Sequence, residues 1–161
     1  MSRSLSHKTI LITGAGSGLG RATALHVAEL GARVIACDIN LEAVAAVAET
    51  IEGHGGRGHF FEMDVTNEGQ IAEVLGRVHK DIGVVHVGVN NAGVDHPLTG
   101  LADLEESDFD RVININLKGV WLCMKYEIKH MLESGGGQII NMASVAGLKA
   151  APTMSIYSAS K

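Results

Sequence analysis

Eight residues near the N-terminus, Thr13-Gly14-Ala15-Gly16-Ser17-Gly18-Leu19-Gly20, constrain this chain more than any other stretch. The run before them, Thr9-Ile10-Leu11-Ile12-Thr13, is apolar and β-branched and reads as a strand. After them, Leu19, Ala22, Thr23, Val27 and Leu30 recur at helical spacing until Gly31. Glycines at such a junction allow a tight turn and let backbone N–H groups come close to a ligand. The helix start adds free donors and a favourable dipole, so the segment suits a negatively charged pyrophosphate. The bare alternative is that the glycines only turn the chain. Their place between a strand and a helix favours the phosphate loop.

The same alternation continues downstream. Strands are expected at Arg33 to Cys37, His59 to Met63, Val84 to Val89 and Gln138 to Met142. Helices are expected at Leu41 to Ile51 and at Ile71 to Val78, where Ile71, Val74, Leu75 and Val78 share one face. Phe109 to Leu132 is a long helical region with a break or bend, and a last helix starts near Ser155. Strands that are apolar throughout, separated by helices, indicate a parallel sheet covered on both faces. The expected fold is α/β, a doubly wound, Rossmann-like parallel sheet. Residues 1–161 are expected to form a single domain.

Composition excludes several function classes. The net charge is −5 and no Lys/Arg cluster stands out, so nucleic acid is not an expected partner. No stretch approaches the ~20 apolar residues of a membrane helix. The opening Met1-Ser2-Arg3-Ser4-Leu5-Ser6-His7-Lys8 lacks an apolar core of signal length, so a cytoplasmic protein is expected. Cys37 and Cys123 are far apart among apolar residues and read as reduced, buried thiols. The eight histidines are scattered, and no metal is expected.

Two positions carry chemistry that the residues themselves explain. Asp38 ends the second strand, 18 residues after Gly20, where a carboxylate can accept hydrogen bonds from adenosine ribose hydroxyls and would repel a 2′-phosphate. Its alternative role is to cap the next helix. Tyr157-Ser158-Ala159-Ser160-Lys161 places Tyr157 and Lys161 four apart, on one helical face. A phenol is a poor base at neutral pH, and a nearby ammonium stabilises its phenolate. Tyr157 is therefore the candidate general acid/base and Lys161 its activator.

The spacing TGxxxGxG, with Asn90-Asn91-Ala92-Gly93 after the fourth strand, Ser144 after the fifth and the YxxxK group, resembles the short-chain dehydrogenase/reductase family. That resemblance implies a cofactor site of Gly14, Ser17, Gly18, Leu19, Gly20, Asp38, Asp64, Val65, Asn90, Ala92, Gly93, Tyr157 and Lys161. Asp64 and Val65 would contact adenine, the Asn90 segment would brace the sheet and line the adenosine pocket, and Lys161 would grip the nicotinamide ribose. The catalytic set would be Asn116, Ser144, Tyr157 and Lys161, with Ser144 on the substrate oxygen and Asn116 holding a water. Ser17 stands where the family's NADP enzymes often carry a basic residue, so the expected cofactor is NAD. Gly88 departs from the pattern, because a larger aliphatic residue is usual there.

The expected activity is hydride transfer between NAD(H) and a secondary alcohol or ketone. The alternatives are a truncated NAD-binding fragment or interaction protein, and an NADP-dependent carbonyl reductase. The resemblance covers about two-thirds of a family domain. It so implies that residues 1–161 are a single dinucleotide-binding and catalytic domain, C-terminally incomplete, with the sheet truncated after the fifth strand and the start of the following helix. A longer protein is expected to be a homo-oligomer, and the 161-residue chain alone to be poorly active, with an exposed sheet edge. Leu148, Ala150, Ala151, Met154 and Ile156 suggest an apolar wall for the substrate pocket.

Overall fold

The computed structural model describes residues 4–149 and 151–161. Five parallel strands form one sheet: β1 (Thr9–Thr13), β2 (Arg33–Asp38), β3 (Arg57–Glu62), β4 (Val87–Asn90) and β5 (Gln138–Asn141), in the spatial order β3-β2-β1-β4-β5. Helices α1 (Gly18–Glu29), α2 (Leu41–Gly53), α3 (Glu68–Asp81), α4 (Glu106–Ile113), α5 (Val120–Glu133) and α6 (Ser155–Ser160) connect and flank them.

Alternation along β1 distributes the core over both faces, as strand geometry requires. Ile10 and Ile12 join Val34, Ala36, Val87 and Val89 with Ala24, Val44 and Val47 from α1 and α2. Leu11 lies on the other side with Ile35, Cys37, Ile71, Val74, Leu122 and Cys123, against α3 and α5. The face read for α3 is the one buried: Ile71, Val74, Leu75 and Val78. Both α2 and α3 start at asparagine caps. The Asn40 side chain accepts from Ala43 N–H and the Asn67 side chain from Gln70 N–H. Asp38 is therefore not the cap of α2.

Some bounds differ from the expectation. The fourth strand begins at Val87, because its pairing with β1 starts at Ile10↔Val87. Upstream, the His86 ring Nδ1 accepts from Thr9 N–H at 3.0 Å, so a side chain stands in for a ladder bond. The third strand starts at Arg57, where it pairs with Arg33, and ends at Glu62. The long helical region is continuous, and its irregularity is a π-helical turn, Asn114–Gly119, between α4 and α5. Gly88 is not a void in the sheet: the Glu127 carboxyl from α5 occupies the space a side chain there would take. Among the described residues no helix is long and apolar enough to cross a membrane. Met1, Ser2 and Arg3 of the opening segment, and Ala150, lie outside the described residues.

Candidate active site

Strand order reverses between β1 and β4, and at that point a doubly wound sheet opens a crevice beyond its C-terminal strand ends. A cleft of about 430 Å³ lies there. Gly14, Ser17, Gly18, Leu19, Asp38, Asp64, Val65, Ala92 and Gly93 line it, all named from the sequence. Asn91, part of the segment expected to line the adenosine pocket, lines it too, and Ile39, Met63, Val94 and Ile115 line it without having been site candidates. Ile39 carries a signal after the fact: it is an aliphatic residue next to the strand-end acid, and it is 66% exposed.

The glycines have separate tasks. Gly14 sits at φ +64°, and a Cβ there would come 2.9 Å from the Ala92 Cα. Gly20 is buried and packs against the Gly14 carbonyl, so it closes the loop from below instead of lining the cleft. Gly18, at φ +51°, faces open space. Ser17 precedes α1 without a side-chain cap bond, which leaves the first-turn N–H groups of the helix available to an anion. The loop is tied across the switch point. The Thr13 hydroxyl oxygen accepts from Asn91 N–H at 3.1 Å and Ala92 N–H at 3.0 Å, while the Asn91 amide donates to the carbonyls of Thr13 and Gly14.

Asp38 is fixed by backbone. Its Oδ2 accepts from Gly16 N–H and its Oδ1 from Asn40 N–H, each at 3.0 Å. The carboxylate is thus oriented at the cleft wall with further lone pairs free. Asp64 is similarly set, its Oδ1 accepting from both the N–H and the hydroxyl of Thr66 at 2.8 Å. Asn90 stands apart from the other cofactor candidates. It is buried under the sheet and donates to Glu127 Oε2 and Asn141 Oδ1, each at 3.0 Å.

At the other end of the cleft, α6 packs on the π-helical turn and on a 3-10 turn, Val145–Gly147. The Lys161 Nζ donates to the Met142 carbonyl at 3.0 Å and lies 5.7 Å from the Tyr157 ring centroid. Burial holds this ammonium below the usual lysine range, and the Asp95 carboxylate opposes that shift. A Cβ on Gly93 would come 3.2 Å from Lys161 Nζ and 3.3 Å from Asn116 Oδ1, so glycine keeps this corner open. Ser144 caps the 3-10 turn, its Oγ accepting from Ala146 N–H at 3.1 Å, and its hydroxyl hydrogen remains free to donate. The Asn116 side chain is committed to protein groups. Its Oδ1 accepts from Val94 N–H at 2.8 Å, and its amide donates to the Val94 carbonyl and the Ser160 hydroxyl. Of the apolar wall, Leu148 is exposed and Ile156 is buried away from solvent.

These parts match known proteins. A 3beta-hydroxysteroid dehydrogenase of Mediterraneibacter gnavus is 38% identical over 154 residues, 96% of this chain and 55% of that protein. A cyclohexanol dehydrogenase of an Acinetobacter species is 37% identical over 161 residues, the whole of this chain and 64% of that protein. The crystal structure of an NAD+-bound xylitol dehydrogenase superposes with a TM-score of 0.95 at 33% identity, covering 99% of this chain and 61% of that one. The chain thus spans less than two thirds of the length of these relatives. Residues 8–161 match the short chain dehydrogenase family. The chain belongs to the short-chain dehydrogenase/reductase family.

Proposed function

We propose that this chain is the cofactor-binding and catalytic portion of an oxidoreductase that moves hydride between NAD(H) and a secondary alcohol or ketone. The observation that carries the reading is the cleft itself. Asp38 stands at one end, a capless helix start at the middle, and Gly93 beside the Lys161 ammonium at the other. The residues fit a dinucleotide, because glycines leave the space that side chains would fill and Ser17 caps nothing. When bound, NAD supplies the hydride acceptor.

The chain's own groups then do the rest. The first turn of α1 holds the pyrophosphate through its N–H groups. Asp38 accepts from the adenosine ribose hydroxyls, and its fixed charge disfavours a 2′-phosphate. Ser144 donates to the substrate oxygen, and Tyr157 takes the proton that this oxygen releases. Lys161 stabilises, by its positive charge in a partly desolvated corner, the phenolate that Tyr157 must be before it can accept that proton. In reduction the same proton returns from Tyr157. The secondary-alcohol substrate is supported by the names of the hydroxysteroid, cyclohexanol and xylitol relatives. A small-molecule partner, a homo-oligomeric whole protein and a cytoplasmic setting belong to the same proposal.

The test is Tyr157→Phe, assayed with NAD+ and cyclohexanol against the unaltered protein. Removing a general acid/base lowers turnover by about 100-fold or more. NAD affinity measured by calorimetry stays the same, since the ring remains. Retained turnover in the variant would remove Tyr157 from the mechanism.

A further inference from the structure

The sheet face under α3 and α5 buries a carboxyl that the mechanism above does not use. Glu127, on α5, is 1% exposed. Its Oε2 accepts from the Asn90 side-chain amide at 3.0 Å, while Oε1 and Asn90 Oδ1 have no partner among the described residues. A Cβ on Gly88 would lie 2.8 Å from Glu127 Oε2, so the missing side chain on β4 is what admits the acid to the sheet. A buried carboxylate is costly unless hydrogen bonds or a cation offset it. Among the described residues, the groups facing it supply no such cation. His130 of α5 and His79 of α3 line a small cavity beside it with Leu75, Gly83 and Val85. Burial keeps His130 below the usual histidine range, and burial pushes up the thiols of Cys37 on β2 and Cys123 on α5.

From this carboxyl a short path leads to the catalytic corner. Asn90 also donates to Asn141, its partner across β4 and β5. The Asn90 carbonyl accepts from Met142 N–H at 3.0 Å, and the Met142 carbonyl accepts from Lys161 Nζ at 3.0 Å.

We propose that Glu127 is a positioning residue for Lys161: its carboxyl fixes Asn90, Asn90 fixes the end of β5, and that strand end presents the Met142 carbonyl to the ammonium. The role of Lys161 in turnover rests on the oxidoreductase reading; the mechanical path does not. Burial pushes the Glu127 carboxyl up to about 7, with the Asn90 hydrogen bond opposing. An ionised acceptor binds the Asn90 amide more strongly than a neutral one. The hold on Lys161 therefore tightens as pH rises through neutrality.

The experiment is a pH titration of the lysine side chains by carbon NMR, with Lys161→Arg to identify the Lys161 signal. In the unaltered protein this signal shows an inflection near neutrality besides its own titration. Glu127→Gln keeps the shape and an acceptor for Asn90 but cannot ionise, and the inflection disappears. In parallel, kcat/KM for cyclohexanol with NAD+ falls by about three- to ten-fold on the alkaline side and little on the acid side. A Lys161 titration unchanged by Glu127→Gln overturns the proposal. The double variant Gly88→Leu/Glu127→Ala refills the space with an aliphatic group and covers the case in which Glu127→Gln does not fold. If that protein folds and keeps the neutral inflection, the carboxyl is only filler and the proposal fails. If the unaltered protein binds no NAD yet its Lys161 signal follows Glu127, the oxidoreductase reading falls and the positioning role stands.

Discussion

Glu127 binds more protons in the folded chain than in the unfolded one, and this sets a stability dependence that can be measured directly. Its ordinary value is 4.5 and burial raises it to about 7. The folded state is therefore favoured below the ordinary value, and that advantage is lost as pH rises through about 7. At 1.36 kcal/mol per pK unit the group alone accounts for a fall of up to about 3 kcal/mol across this window. Histidines work in the opposite direction. His59, His86 and His130 are all held low, burial being the largest cause, and His86 must be unprotonated at Nδ1 to accept from Thr9. Their share of stability is lost as pH falls through the ordinary histidine range. The raw stability curve sums both trends, so the informative quantity is the difference between the unaltered protein and Glu127→Gln. Urea unfolding near pH 5 is expected to show similar stabilities, and near pH 8 the variant is expected to be the more stable, by up to about 3 kcal/mol. An equal difference at both pH values would show that the carboxyl does not titrate in this window.

At the scale of elements, the π-helical turn Asn114–Gly119 is the feature that places the site, and it depends on one amide. Asn116 is buried there and satisfies both backbone groups of Val94, which follows Asn90-Asn91-Ala92-Gly93. Gly119 completes the turn, since a Cβ on it would come 2.8 Å from Cγ2 of Val65, which lines the cleft. Replacing Asn116 by Ala orphans two backbone groups at about 1–3 kcal/mol each. A thermal melt is expected to drop by roughly 4–24 °C at 2–4 °C per kcal/mol. A shift under a degree would mean that Val94 finds other partners. The elements themselves were legible because their signals are local. Ile71, Val74, Leu75 and Val78 mark their own helix, and the glycine spacing marks its own loop. The π turn was legible only as a break, because its widening is fixed by Val94 and Ser160, remote in sequence. Gly88 was read as an anomaly for the same reason: its complement, Glu127, lies 39 positions away (127 − 88) on another element. Asn90 was read with the cofactor residues by its motif, and the alternation of the strand turns its side chain under the sheet instead.

At the scale of the molecule, the cleft draws its walls from the ends of four strands, so a ligand there ties β1, β2, β3 and β4 together. The net charge of −5 gives an anionic dinucleotide no general attraction. On the proposed reading, binding comes from local groups: the first-turn N–H donors of α1 for the phosphates and the fixed Asp38 carboxylate as an acceptor for hydroxyls. Such a ligand stabilises the folded state by mass action. At a hundred times its dissociation constant the gain is about 2.7 kcal/mol, or roughly 5–10 °C in melting temperature for a chain of this size. NAD+ is expected to produce that shift. NADP+ at the same concentration is expected to produce a much smaller one, because its 2′-phosphate meets the Asp38 carboxylate. Asp38→Ser removes the negative charge while keeping a hydroxyl that can serve the ribose. In that variant the two shifts should converge, the NAD+ shift falling and the NADP+ shift rising. If NADP+ shifts the unaltered protein as far as NAD+ does, Asp38 does not select the cofactor, and its role reduces to the hydrogen bonds that hold Gly16 and Asn40.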